Sequence, residues 1–442
     1  MDFVTDKQTL SDLNILGRYN SNSIFSLFNH TITVGGSRAL EKMFQKPLTV
    51  ESSINERSSL FSFFESLALS LPFTSEEFDI VENYLHNPQS KSRLIAGLNI
   101  AKYKLLHQFA SGKEYTMIRE GLEKTIEVFS RLKLVIQTIA NSSTNTPYDA
   151  TVKKMLSLLT SESLNEAWRF IKNEGLSYKQ VMKLDYVFRG LLYDKNEEFL
   201  NELYNLDVYI TVSDVSRMNK LAYANAVAKQ ERFIDIQGLY HPGIPGAVAN
   251  DISIEKDKHV LFLTGANMAG KSTLMKAFAV AVYLAHMGFP VAAHQMNFSV
   301  HDGIYTSINV PDNLEMGYSH FYAEVLRVKH IAEEVATDKQ LVIIFDELFK
   351  GTNVKDASDG TVAVVDAFSR RKGTFIISTH IMEAGEILKK TNKYLFFKYL
   401  PTIIKGKVPT YPYTLEDGIT DDCQGMMIIE NERILEIING DK

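Results

Sequence analysis

The sequence predicts an α + α/β protein. Residues 1–230 read as helical, and residues 231–442 read as an α/β part whose mainly parallel sheet is covered by helices. Three observations carry this. Apolar residues recur at three- and four-residue spacing through the first part. From about residue 231, short apolar runs alternate with helical stretches. A glycine-rich octet stands between one such run and a long apolar helix.

Taken in order, Ser37–Phe44, Ile54–Phe64 and Glu120–Ile139 carry the helical period, and Leu98, Ala101, Leu105 and Phe109 share one face of the segment between them. Asn141–Pro147 is a polar break. A second helical block runs from Val152 through Trp168 to Phe188, and Leu200–Val212 and Val215–Lys229 lead out of the helical half. Arg232–Gly238 alternates like a strand, and Tyr240–Gly246 is a turn-rich loop. Strands are then expected at His259–Leu263, Leu341–Phe345 and Thr374–Ser378. Helices are expected at Ser272–Met287, Tyr318–Ala336 and Ser358–Arg371, and the tail, Tyr411–Ile438, as a small antiparallel addition.

Composition narrows the class. A chain of 442 residues, 45% hydrophobic and 23% charged, is globular and holds two to four folding units at roughly 100–200 residues each. Its single cysteine, Cys423, excludes an internal disulfide and suits a reducing, cytoplasmic setting. The opening residues lack the basic and apolar regions of a signal peptide. Ala277–Ala293 carries His286, Gly288 and Pro290, so it reads as a buried helix followed by a short strand and not as a membrane span. Net charge is −6, yet residues 91–190 hold 16 basic and 9 acidic side chains. That local excess suits a nucleic-acid-facing surface and equally a solvated helical face.

The chemistry concentrates in the second half. Gly265, Ala266, Asn267, Met268, Ala269, Gly270, Lys271 and Ser272 match a phosphate-binding loop, entered by a strand and left by a helix. Its glycines let backbone N–H groups point at a β-phosphate, Lys271 reaches the β- and γ-phosphates, and the Ser272 hydroxyl ligates Mg²⁺. Asp346 and Glu347 end an apolar strand, where Asp346 would hold Mg²⁺ through water and Glu347 would orient or deprotonate an attacking water. That adjacent glutamate points to hydrolysis. His380 ends another strand and is placed to donate to a γ-phosphate. Ser319, before a helix, reads as an N-cap hydroxyl aimed at an anion.

These motifs, with Thr273, the Ser319-His-Phe-x-x-Glu324 segment and Asp346-Glu-Leu-Phe-Lys-Gly351-Thr352, resemble the ATPase of the MutS family, which belongs to the ABC class. The resemblance extends upstream to Thr31–Leu40, Pro47-Leu48 and Ile54–Arg57, to Phe199–Ile210 as a lever helix, and to His241-Pro242 and Ala247–Asp251 at the opening of the nucleotide domain. It implies a helical core and lever domain over 1–230 and an ABC-type ATPase domain over 231–442. ATP and Mg²⁺ are the implied cofactors, with His241 and Asn250 among the nucleotide-binding residues. It also implies DNA as a partner through the helical domain, repair proteins as further partners, no membrane, and a homodimer in which Ser319 of one copy completes the other's site. The family's mismatch-reading and connector domains have no counterpart in this sequence, and Phe63-Phe64-Glu65 lies in a core helix and does not replace their wedge. Ala247 stands where the family often places an adenine-stacking aromatic. The expected function is ATP-driven control of DNA binding in mismatch repair or recombination. The alternatives are an ATPase driving a protein complex, and an unrelated kinase or transporter ATPase.

Overall fold

The computed structural model describes residues 2–17, 22–110, 113–169, 175–308, 320–405, 408–420 and 434–440. Helices come first: α1 (Lys7–Asp12), α2 (Ile24–Phe28), α3 (Val34–Phe44), α4 (Glu51–Leu67), α5 (Ser75–Leu85), α6 (Arg93–Ala110), α7 (Glu114–Ser142) and α8 (Asp149–Leu159). Next are α9 (Tyr178–Tyr186), a π-turn at Val187–Leu191 and α10 (Tyr193–Asn219). Strands β1 (Ala222–Tyr223), β2 (Asn225–Val227), β3 (Ile234–Leu239), β4 (Asn250–Ile254) and β5 (Val260–Gly265) lead to α11 (Lys271–His286). Then come β6 (Pro290–Val291), β7 (Gln295–Ser299), β8 (Gly303–Ser307), α12 (His320–Val335), β9 (Leu341–Asp346), α13 (Val354–Ser369), β10 (Gly373–Ser378) and α14 (Met382–Thr391). The chain closes with β11 (Leu395–Leu400), β12 (Ile403–Lys405), β13 (Val408–Thr410), β14 (Glu416–Asp417) and α15 (Ile434–Asn439).

The chain divides into two compact units. One comprises Phe28–Lys42 and Ser59–Met218, the other Met1–Leu27, Met43–Ser58 and Asn219–Lys442. This is not a single cut at residue 230, because two amino-terminal stretches group with the sheet. Phe3 packs edge-on to Tyr283, the Tyr283 hydroxyl donates to the Phe44 carbonyl at 2.6 Å, and Leu48 N–H donates to the His286 carbonyl at 2.7 Å. Asp12, buried, accepts the Thr306 hydroxyl at 2.7 Å and the Ile308 N–H at 3.0 Å.

The helical unit is built around Phe64, Phe78, Phe129, Phe188 and Phe199, all buried. Phe64 stacks on Tyr209 with centroids 5.5 Å apart, which makes it a core residue of α4. Gly35 and Gly36 explain themselves by close approach. A Cβ at Gly35 would sit 2.4 Å from the Tyr204 ring, and one at Gly36 2.5 Å from the Asp207 carboxylate. That carboxylate accepts the N–H groups of Ile32 and Thr33 at 3.1 and 2.8 Å, so α10 caps the start of α3. Burial raises the Asp207 pKa, and these hydrogen bonds oppose the rise.

The sheet unit holds a six-stranded sheet in the order β14-β11-β5-β10-β9-β8. Neighbours from β11 to β8 are parallel, and β14 is antiparallel to β11. A four-stranded mixed sheet, β2-β7-β3-β4, belongs to the same unit. The fold is therefore mixed helix and sheet. The stretch Ala277–Ala293 is α11 followed by β6, and α11 is buried along almost its whole length. Among the described residues no helix is long and apolar enough to cross a membrane.

Three expectations change. The helix expected over 215–229 stops at Asn219, because 222–227 form β1 and β2. Ala226 is buried and pairs with Phe298, and its backbone is bracketed by the Asn55 amide at 2.8 and 2.9 Å, so long-range pairing overrides alanine's helix propensity. The α6 face read from Leu98, Ala101 and Leu105 is not its packed face. Ala96 and Ile100 are buried instead, and the Phe109 side chain lies outside the described residues. In the tail, β14 is antiparallel as expected, 421–433 lie outside the described residues, and α15 is helical.

Candidate active site

Strand β5 delivers Gly265 at φ +150°, Met268 follows at +72° and Gly270 at +99°. These left-handed turns wrap the loop before α11 starts at Lys271. The Lys271 ammonium donates to the Gly265 and Ala266 carbonyls at 2.7 and 3.1 Å and stands 3.9 Å from Glu347. Burial pushes its pKa down, while Glu347 and Asp346 pull it up.

Parallel pairing brings the acids to this loop. In register, Ser378 sits beside Asp346 and also beside Leu263. The Asp346 carboxylate accepts the Ser272 hydroxyl and the Ser378 hydroxyl, each at 2.5 Å. Glu347 follows with φ +57°, and its N–H donates to the Ser378 carbonyl at 3.0 Å. A left-handed non-glycine residue costs about 1–2 kcal/mol, and here it turns the second carboxylate away from the strand line. Around Glu347 stand Lys350 at 3.1 Å and the His380 Nδ1 at 3.9 Å, with the His380 side chain 56% exposed. Glu324, Ser307 and Lys350 share with Asp346 and Glu347 the lining of a cavity of about 210 Å³.

A larger cavity, about 390 Å³, is lined by His241, Ala247, Asn250, Met268, Ala269, Gly270, Thr273 and Tyr413. Its size and mixed lining suit a planar heterocycle beside the phosphate loop. Burial lowers the His241 pKa, with Lys276 adding to the effect. Asn250 points to the chain itself: its amide donates to the Tyr413 carbonyl at 2.9 Å and accepts the Leu415 N–H at 2.6 Å. Tyr413, at φ +58°, lies so close to Gly270 that a Cβ there would be 3.0 Å from its ring.

A family model described as MutS domain V matches residues 261–438. Curated proteins named "DNA mismatch repair protein MutS" match more widely. That of Desulfitobacterium hafniense is 26% identical over 359 residues, 76% of this chain and 41% of that protein. That of Fusobacterium nucleatum subsp. nucleatum is 30% identical over 257 residues, 53% of this chain and 28% of that protein. Over residues 261–438 the chain matches MutS domain V, and more widely it is similar to MutS proteins. It spans less than half the length of each of these two relatives.

In this MutS-like chain, the structure brings together Gly265–Thr273, Asp346, Glu347 and His380, and places His241 and Asn250 at the adjoining cavity. Ser319 lies outside the described residues, and α12 begins at the next position. Sequence reading missed Ser378 and Tyr413. Ser378 was visible as a polar residue ending an apolar strand, and Tyr413 as one of two tyrosines around Pro412. Nothing local ties Tyr413 to a loop more than 140 residues earlier.

Proposed function

We propose that this chain binds and hydrolyses ATP, and that its nucleotide state controls how the helical unit engages DNA. The carrying observation is the meeting of a hydroxyl, two carboxylates and an imidazole beside the glycine loop: Ser272, Asp346, Glu347 and His380.

In this reading the backbone N–H groups of the loop and the start of α11 hold the β-phosphate. Lys271 exchanges the Gly265 and Ala266 carbonyls for phosphate oxygens. The hard oxygens of Ser272 and Asp346 suit Mg²⁺, which when bound neutralises charge developing on the transferring phosphoryl group. Glu347 orients and deprotonates the attacking water, and His380 donates to the γ-phosphate. The base enters the cavity of His241 and Asn250, where Tyr413 offers the aromatic face that Ala247 lacks. Two copies pair head to tail, with Ser319 of one completing the other's site. Basic side chains within 91–190 supply salt-sensitive phosphate contacts to DNA.

The test is ATP turnover with homoduplex, mismatched, branched and single-stranded DNA at fixed salt. Turnover changed by at least one DNA supports the reading. Turnover that no DNA alters favours an ATPase directed at a protein complex, and absence of turnover overturns the hydrolytic assignment.

A further inference from the structure

Helix α6 turns an apolar face to solvent. Leu94, Leu98 and Leu105 are 82%, 69% and 56% exposed, with Ile95 and Leu106 exposed beside them. Exposed leucine clusters of this kind mark contact surfaces. Leu94, Leu98, Ala101 and Leu105 follow one another at intervals of four, three and four residues. That spacing keeps one seam facing a second helix. At 3.6 residues per turn, Lys102 and Lys104 fall on opposite flanks of the seam, the positions that select partners in paired helices. The Lys104 ammonium is 3.9 Å from the Tyr178 ring centroid, which anchors it at its flank.

Charge decides the partner. From Lys91 to Lys113 the sequence contains no Asp or Glu, while Lys91, Arg93, Lys102, Lys104 and Lys113 are positive. Carboxylates on neighbouring elements are largely taken: Asp194 by Lys91, Glu123 by Arg119, Glu127 by Lys124, and Asp185 by Arg189. Glu114 and Glu120 of α7 are exposed, and neither belongs to α6.

We propose that α6 is a docking seam for an acidic amphipathic helix of a partner protein. The partner's apolar residues cover Leu94, Leu98 and Leu105, and its flanking carboxylates meet Lys102 and Lys104. A second copy of α6 would oppose lysine to lysine, and a nucleic-acid backbone would leave the leucines in water. The seam uses no residue of the nucleotide site, so it stands independently of the ATPase reading, and it removes Lys102 and Lys104 from the basic side chains of 91–190 proposed to contact DNA.

The experiment measures fluorescence anisotropy of synthetic helices titrated with the full chain. One helix, about as long as α6, carries Leu along its seam and Glu on both flanks. A second carries Lys on the flanks, and vesicles of phosphatidylglycerol serve as a third probe. The Glu helix binds in the micromolar range and the Lys helix at least about tenfold more weakly. Leu98→Asp with Leu105→Asp weakens the Glu helix at least about tenfold without changing circular dichroism, since both sites are exposed. Lys102→Glu shifts preference toward the Lys helix. The proposal is overturned by equal affinity for the two helices, by full affinity in the double aspartate variant, or by no helix binding at all. Vesicle binding or doubled mass that alone depends on the leucines overturns it as well, in favour of a lipid surface or self-association.

Discussion

Ser272, on the first turn of α11, and Asp346, at the end of β9, share a 2.5 Å hydrogen bond across 74 residues of chain. The same carboxylate takes the Ser378 hydroxyl, so three elements converge on one aspartate. A cation held there is set by strand register rather than by a flexible loop.

Asp346→Asn keeps hydrogen-bonding capacity but removes the charge that would hold Mg²⁺. Turnover should fall by about a hundredfold or more, the range for a lost charge-stabilising group. Turnover against Mg²⁺ concentration is the measurement, and an unchanged Mg²⁺ dependence removes Asp346 from the site.

Glu347→Gln should bind ATP and hydrolyse it about 10²–10⁴ times more slowly, because the water loses its base while the loop survives. Lys271→Ala should instead lose binding. Light scattering of Glu347→Gln with ATP and Mg²⁺ should show a doubled mass, and a strict monomer there rules out the shared site.

Tyr413→Ala should weaken ATP binding by roughly tenfold, as loss of one aromatic stack of about 1.4 kcal/mol predicts. Tyr413→Phe should retain it, and inorganic triphosphate should bind both variants alike. If triphosphate affinity falls as much as ATP affinity, the effect belongs to the loop through Gly270 and not to the base.

Stability should fall as pH drops below 6.5. His286 and His301 are fully buried; desolvation holds the first at about 4 and the second, which also faces His286, at about 3. Asp302 raises both and Lys229 lowers His301. Folded-state values below the unfolded 6.5 mean that the unfolded chain binds the extra protons. The contribution is therefore complete above pH 6.5 and is lost toward pH 3–4, by up to about 1.4 kcal/mol per pH unit per histidine. Melting temperature between pH 7 and 5 is the readout. His301→Asn should flatten the slope, and an equally steep slope in that variant assigns the effect elsewhere.

Local chemistry was legible in the residues alone. Glycines at 265 and 270 announce positive φ, and both positions have it. Apolar runs ending in Asp346-Glu347 and in Thr379-His380 announce buried strands with polar ends, and β9 and β10 run there. Such signals survive because they depend on a residue and its near neighbours. Tertiary structure alone decided the rest. The order β11-β5-β10-β9-β8 sets Ser378 against Asp346, a return of the tail sets Tyr413 against Gly270, and Met1–Leu27 joins the sheet unit. It also decided that Ala96 and Ile100, and not Leu98 and Leu105, face the protein across α6. Periodicity shows that a helix has an apolar face, but a helix with two needs its neighbours to choose which is covered. Those choices rest on pairing and burial between segments far apart in the chain, and no local pattern encodes that free energy.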